Sequence, residues 1–144
     1  MADELPTSLM MFIASRAAVS RVLGAIHAAG HDEVTIAQAR LLMGIDEDGT
    51  RLSVLADRAQ VAKQTATALV DKLERAGYVE RVRDPGDGRA RLVRLTGHAH
   101  ALLPVARAEE ERIETEWAEH LGPERMAGLR DALEALREVT DPYR

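Results

Sequence analysis

The sequence contains no cysteine. No disulfide, thiolate metal centre or thiol redox switch can form within the chain. Aromatic residues are scarce, with one Phe, one Trp and two Tyr among 144 residues. The apolar content is mostly Ala, Leu and Val, which favours helices packed closely through small side chains. Residues 1–30 lack a basic start followed by a long apolar run, so no signal peptide is expected. No stretch approaches the roughly 20 apolar residues of a bilayer span, so no membrane partner is expected. There is no phosphate-cradling glycine loop, and Ser8, Ser15, Ser20 and Ser53 lie in no nucleophile-elbow context. The expectation is a cytoplasmic protein with no enzymatic activity and no cofactor.

What is present is an uneven charge. The chain carries a net −5. Residues 1–50 hold three basic and seven acidic residues, and residues 97–144 hold six and eleven. Residues 51–96 reverse the sign, with ten basic and six acidic residues. A basic middle between acidic ends suggests a polyanion-facing module on a support that does not touch the polyanion.

The periodicity is mostly helical. Leu9, Phe12, Ile13, Val19, Leu23 and Ile26 predict a helix from about Thr7 to Gly30. Thr35 and Gln38 form a capping box for a second helix, with a stop at 47–49. Leu52 reads as an extended anchor, and Ser53 as the cap of a short helix to about Ala59, burying Val54, Leu55 and Ala59. Gln60–Ala62 is a turn into a longer helix over about 63–76, so the pair reads as a helix-turn-helix. On that longer helix Ala66, Leu69, Val70 and Leu73 share one face. Lys63, Gln64, Thr65, Thr67 and Ala68 mark the exposed N-terminal half. Amide and hydroxyl side chains can meet base edges there, and Ala68 permits close approach. An Asp71–Arg75 pair at i,i+4 keeps the carboxylate from repelling phosphate.

Two alternating runs, 78–83 and 91–95, flank a Pro/Gly/Asp turn and predict a β-hairpin. Arg81, Arg83, Arg89, Arg91 and Arg94 crowd it, which suits phosphate contact or insertion into a narrow minor groove. Thr96 caps a long helix to about His120, kinked at Pro104. Gly122-Pro123 restarts a last helix, whose Met126, Leu129, Leu133 and Leu136 alternate spacings of three and four like a partner-helix seam.

The run LADRAQVAKQTATALVDKLERAGYVERVRDPGDGRARLVRLT resembles the multiple-antibiotic-resistance regulator (MarR) family, most specifically in DPGDGR followed by LVRLT. The resemblance implies a mainly α fold with a small β-hairpin wing. Residues 1–144 would form one domain: a winged helix-turn-helix at about 35–96 and dimerisation helices at about 7–30 and 97–139. It implies a homodimer paired through Leu9, Phe12, Ile13, Met126, Leu129, Leu133 and Leu136. It also implies a repressor that binds double-stranded DNA at an inverted repeat and answers to a small-molecule effector. Lys63, Gln64, Thr65 and Thr67 fall on its recognition helix, Arg89 on the wing-tip arginine, Asp87 on the acid that orients the wing, and Arg91 on a further contact. Ser53, Ala68 and Arg83 complete the expected DNA-binding set. The chain departs from the family's pattern at Gln60, where the turn often has glycine, and at Ala62, where a serine or threonine often caps the helix. It departs again at Ala68 and Gly88, which are commonly polar or basic. A winged-helix protein-interaction module without DNA binding is the alternative these departures raise.

No metal site is expected. His27 and His31 are i,i+4 but straddle a helix end at Gly30. His98 and His100, at i,i+2, point apart.

Overall fold

The computed structural model describes residues 4–144. The order of elements is α1 (Thr7–Ala28), α2 (Ile36–Met43), α3 (Leu52–Ala59), α4 (Lys63–Arg75), β1 (Val79–Asp84), β2 (Asp87–Leu95), α5 (Gly97–His100), α6 (Leu102–Leu121) and α7 (Pro123–Thr140). The strands form one antiparallel two-stranded sheet. By internal contacts the chain falls into two compact units, one ending at Arg107 and the other Ala108–Arg144.

In the first unit, α3 packs on α4, α2 touches both, and α4 meets β1. Leu41 of α2, Leu55 and Ala56 of α3, and Ala66, Val70 and Leu73 of α4 close the core with Tyr78, Val79 and Val93 from the hairpin. The apolar face anticipated for α4 is therefore the buried one. The apolar residues of α1 divide along the helix. Ile26 joins the core and Val22 and Leu23 pack against it, whereas Leu9, Phe12 and Ile13 stay exposed.

The capping box forms as read: Thr35 Oγ1 accepts from the Gln38 amide at 3.2 Å, and Gln38 Oε1 accepts from the Thr35 amide at 3.0 Å. Helix α2 nevertheless ends at Met43, before the expected stop. Arg58 of α3 donates to the Gly44 carbonyl at 2.6 Å, and so satisfies the end of the helix from outside it.

Helix α3 starts earlier than expected. Its N-cap is Arg51, Leu52 is helical, and Ser53 does not cap. The cause is a bridge between Thr50 and Val93, whose reciprocal amide bonds of 2.9 and 2.8 Å hold the extended position at residue 50. The buried residues of α3 are Leu55 and Ala56, with Val54 and Ala59 only half-buried.

The turn between α3 and α4 runs through Gln60 at φ 55°, ψ 46°. A side chain in the left-handed region costs about 1 kcal/mol or more relative to glycine. Gln60 Nε2 recovers part of this by donating to the Asp57 carbonyl at 2.7 Å. Gln60→Gly is expected to stabilise the fold by about 0.5–1 kcal/mol, read from urea unfolding. A loss of stability would mean that the side-chain bond outweighs the backbone strain.

The long helix expected after Thr96 is broken rather than kinked. Thr96 accepts from the Ala99 amide at 3.3 Å and starts α5, which gives way at Ala101 to α6. Pro104 lacks the N–H that would reach back to residue 100, so the hydrogen-bond run fails there.

In the second unit, Gly122 at φ 86° turns the chain and Pro123 opens α7. Arg130 pairs with Glu114 at 3.1 Å. Met126 is buried, whereas Leu129, Leu133 and Leu136 are 37–40% exposed.

One expectation needs correcting. Helix α1 is long and apolar enough to cross a bilayer by length and composition, with an 18-residue window of mean hydropathy 1.5. Arg16 and Arg21 interrupt the apolar run, so counting unbroken stretches hid its average.

Candidate nucleic-acid interface

The exposed face of α4 begins at an uncapped end. Its N-cap, Ala62, offers no side-chain acceptor, which leaves the first amides of the helix without a local partner at a cost of roughly 1 kcal/mol. Lys63, Gln64, Thr65 and Ala68 are exposed and Thr67 is half-buried. The Thr67 hydroxyl donates to the Lys63 carbonyl at 2.9 Å, so its proton is engaged within the helix. Ser53 is exposed at the second position of α3.

The hairpin sorts its arginines into two groups. Arg81 binds back onto α4, at 2.7 Å from both Asp71 and Glu74. Asp71 is thus held across the fold by Arg81, which replaces the expected Asp71–Arg75 pair. Arg94 pairs with Glu80 at 2.6 Å on the neighbouring strand. Arg83, Arg89 and Arg91 are exposed and have no ion pair among the described residues. Arg83 and Arg91 lie directly opposite each other across the strands. Like charges directly opposite on neighbouring strands repel, so the pair adds nothing to the stability of the hairpin. By strand alternation they share a face with Arg81, the face turned toward α4.

Arg89 stands apart from the ladder. The register runs regularly to Arg83↔Arg91 and then jumps to Asp84↔Asp87, which leaves Gly88, Arg89 and Ala90 without opposite partners. Such a bulge re-aims a side chain that regular pairing would hold in the sheet plane.

Two carboxylates shape this tip. Asp84 Oδ1 accepts from the Gly86 amide at 2.9 Å, and Asp87 Oδ1 accepts from the Arg89 amide at 3.1 Å. Asp84 Oδ2 accepts from Arg51 Nε at 3.1 Å and Nη2 at 2.8 Å. The Gly86 amide and then the Arg51 guanidinium hold the Asp84 carboxyl below its ordinary pKa. Sequence reasoning assigned the orienting role to Asp87 alone and missed Arg51, Asp84 and the inward role of Arg81. These partners lie 33 and 10 residues apart, and no local spacing announces them.

The base of the wing is closed by a polar cluster. The Tyr78 hydroxyl donates to Glu33, and His31 Nδ1 lies 2.8 Å from the same oxygen. Burial, reinforced by the bond to Glu33, pushes the Tyr78 phenol up, and that bond draws the Glu33 carboxyl down. His98 stacks on Tyr78 at 4.6 Å and lies 5.3 Å from His31. Among the described residues no group of three or more His, Cys, Asp or Glu is placed to hold a metal ion.

The MarR family model matches residues 32–90. The HTH-type transcriptional regulator FarR of Neisseria gonorrhoeae is 29% identical over 109 residues, covering 75% of each chain. The fold superposes on apo MarR from E. coli with a TM-score of 0.73 at 20% identity, covering 93% of this chain and 98% of that one. It superposes on NadR, solved in complex with 4-hydroxyphenylacetate, with a TM-score of 0.71 at 21% identity, covering 94% and 95%. The helix-turn-helix, the hairpin and these relatives agree: residues 32–90 match the MarR family model, and the chain has the fold of the MarR winged-helix proteins.

Proposed function

We propose that the protein binds double-stranded DNA as a homodimer, with α4 against base edges in the major groove and the wing against phosphates and the adjacent minor groove. The observation that carries this reading is the group of three exposed arginines, Arg83, Arg89 and Arg91, without an ion pair among the described residues, on the wing of a chain with net charge −5. A protein gains nothing in stability from such a cluster, whereas a polyanion would neutralise it. Lys63 and Arg91 serve phosphates, Gln64, Thr65, Thr67 and Ala68 meet base edges, and Arg89 enters the minor groove. Ser53 and Arg83 add backbone contacts, and Asp87 holds the wing tip through the Arg89 amide. The exposed apolar residues Leu9, Phe12 and Ile13 of α1, and Leu129, Leu133 and Leu136 of α7, meet a second copy in the cytoplasm rather than lipid. Met126, already buried within its own chain, supports that seam from behind.

The regulatory reading is repression released by a small molecule. NadR carries a phenolic acid, and a small aromatic acid is the effector class we carry over to this chain.

Selection of duplexes from a random DNA library tests the reading. The expected outcome is an enriched inverted repeat with half-sites roughly 10 base pairs apart. No enrichment at low salt would leave the protein-interaction module as the better account. A gain of affinity is also expected. A Cβ at Gly88 meets no atom within 4 Å and the position is exposed, so Gly88→Arg adds a wing cation whose first carbon has open space. It should steepen the log–log salt dependence of binding by about 1 per subunit, measured by fluorescence anisotropy.

A further inference from the structure

We propose that Arg51 is a positioning residue that sets the direction of the wing tip, and through it the aim of Arg89. This rests on the DNA-binding reading above. Residues 85–89 are all exposed, so no packing fixes the tip. The bulge removes ladder bonds beside it, with Gly88, Arg89 and Ala90 unpaired. What remains is a polar relay. Arg51 grips Asp84 Oδ2 with two donors, at 3.1 and 2.8 Å, and its Nη2 lies 3.9 Å from Asp87 Oδ2. The second oxygen of each carboxylate holds the tip's backbone, Asp84 at Gly86 and Asp87 at Arg89. One guanidinium therefore spans both acids that hold the turn. It stands at the N-cap of α3, next to Thr50, whose bridge to Val93 fixes the base of the same hairpin. Base and tip of the wing are thus tied to adjacent residues of the segment that leads into the helix-turn-helix. The planar fork of arginine suits this two-donor hold on Asp84 with Asp87 alongside, and lysine, a single point charge, does not reproduce it.

The test uses Arg51→Ala, Arg51→Lys, Asp84→Ala and the Arg51→Ala/Asp84→Ala double variant. Affinity is measured for a duplex selected by the wild type, and 15N order parameters are measured for the free proteins. Each alanine variant should lose about tenfold in affinity, and the double variant should lose no more than either single, because both act through one contact. Arg51→Lys should recover little. In free Arg51→Ala, the Gly86 and Arg89 amides should fall from rigid values near 0.85 toward 0.6 or below, while Val82 and Val93 stay rigid. Three results would overturn the proposal: binding by Asp84→Ala at least as tight as wild type, which would put Arg51 directly on DNA; multiplicative losses in the double variant; or unchanged order parameters at Gly86 and Arg89. Should the wild type select no duplex, the DNA reading fails, and the order parameters still decide whether Arg51 holds the tip.

Discussion

Replacing Arg89 with alanine is expected to weaken operator binding by about 1–3 kcal/mol per subunit without lowering the melting temperature. The side chain is exposed, lies in a bulge, and has no carboxylate partner among the described residues, so its removal leaves no buried group unsatisfied. Both wings of a dimer lose the contact, so the total effect is doubled. The salt dependence should flatten, because fewer counterions are released on binding. Gln64→Ala provides the contrast. It should relax base preference and leave the salt slope nearly unchanged, since an amide reads an edge and neutralises no phosphate. Equal affinity and equal slope for Arg89→Ala would mean that the wing does not touch DNA, and Arg83 and Arg91 would need another anion.

An equally large effect is expected at the proposed dimer seam. Leu133 is 40% exposed between Leu129 and Leu136, which are 37% and 40% exposed on the same helix. Three leucines at that spacing form a stripe suited to a partner helix. A dimer built on such faces should bury roughly 2,000 Å² or more. Leu133→Asp places a charge in that contact twice, once per subunit, and unpaired buried charges are strongly unfavourable. The dimer should weaken by more than about 3 kcal/mol, roughly a hundredfold or greater in dissociation constant. Sedimentation should show wild type as a dimer at micromolar concentration and the variant as monomer or unfolded chain. A stable, folded wild-type monomer at that concentration would rule the seam out.

The features legible in the sequence were those set by neighbours along the chain. The Thr35–Gln38 capping box needs only residues three apart, and it forms as read. The buried face of α4 follows from a rotation of about 100° per residue, and Ala66, Val70 and Leu73 are buried accordingly. The failures lie where distant groups decide. Ser53 does not cap α3 because Thr50 is already held extended by Val93, which lies beyond α3, α4 and β1 in sequence. Asp71 does not turn to Arg75 because Arg81 reaches it from the hairpin. The ten basic residues of 51–96 therefore divide by role. Arg51, Arg58, Arg81 and Arg94 hold the fold, and the wing arginines without an ion pair among the described residues are fewer than the composition suggested. Asp84 and Asp87 hold the turn, and Asp71 and Glu74 fasten the wing to α4 through Arg81.

The central claim is that two copies of this winged helix read one DNA site, helix in the major groove and wing in the minor groove. Hydroxyl-radical footprinting on a selected duplex measures this most directly, because the radical attacks the sugars that line the minor groove. The account predicts two symmetry-related patches of protection flanking the half-sites, roughly 10 base pairs apart centre to centre, with both flanking patches lost in Arg89→Ala. A single asymmetric patch, or flanking protection unchanged by Arg89→Ala, would contradict it.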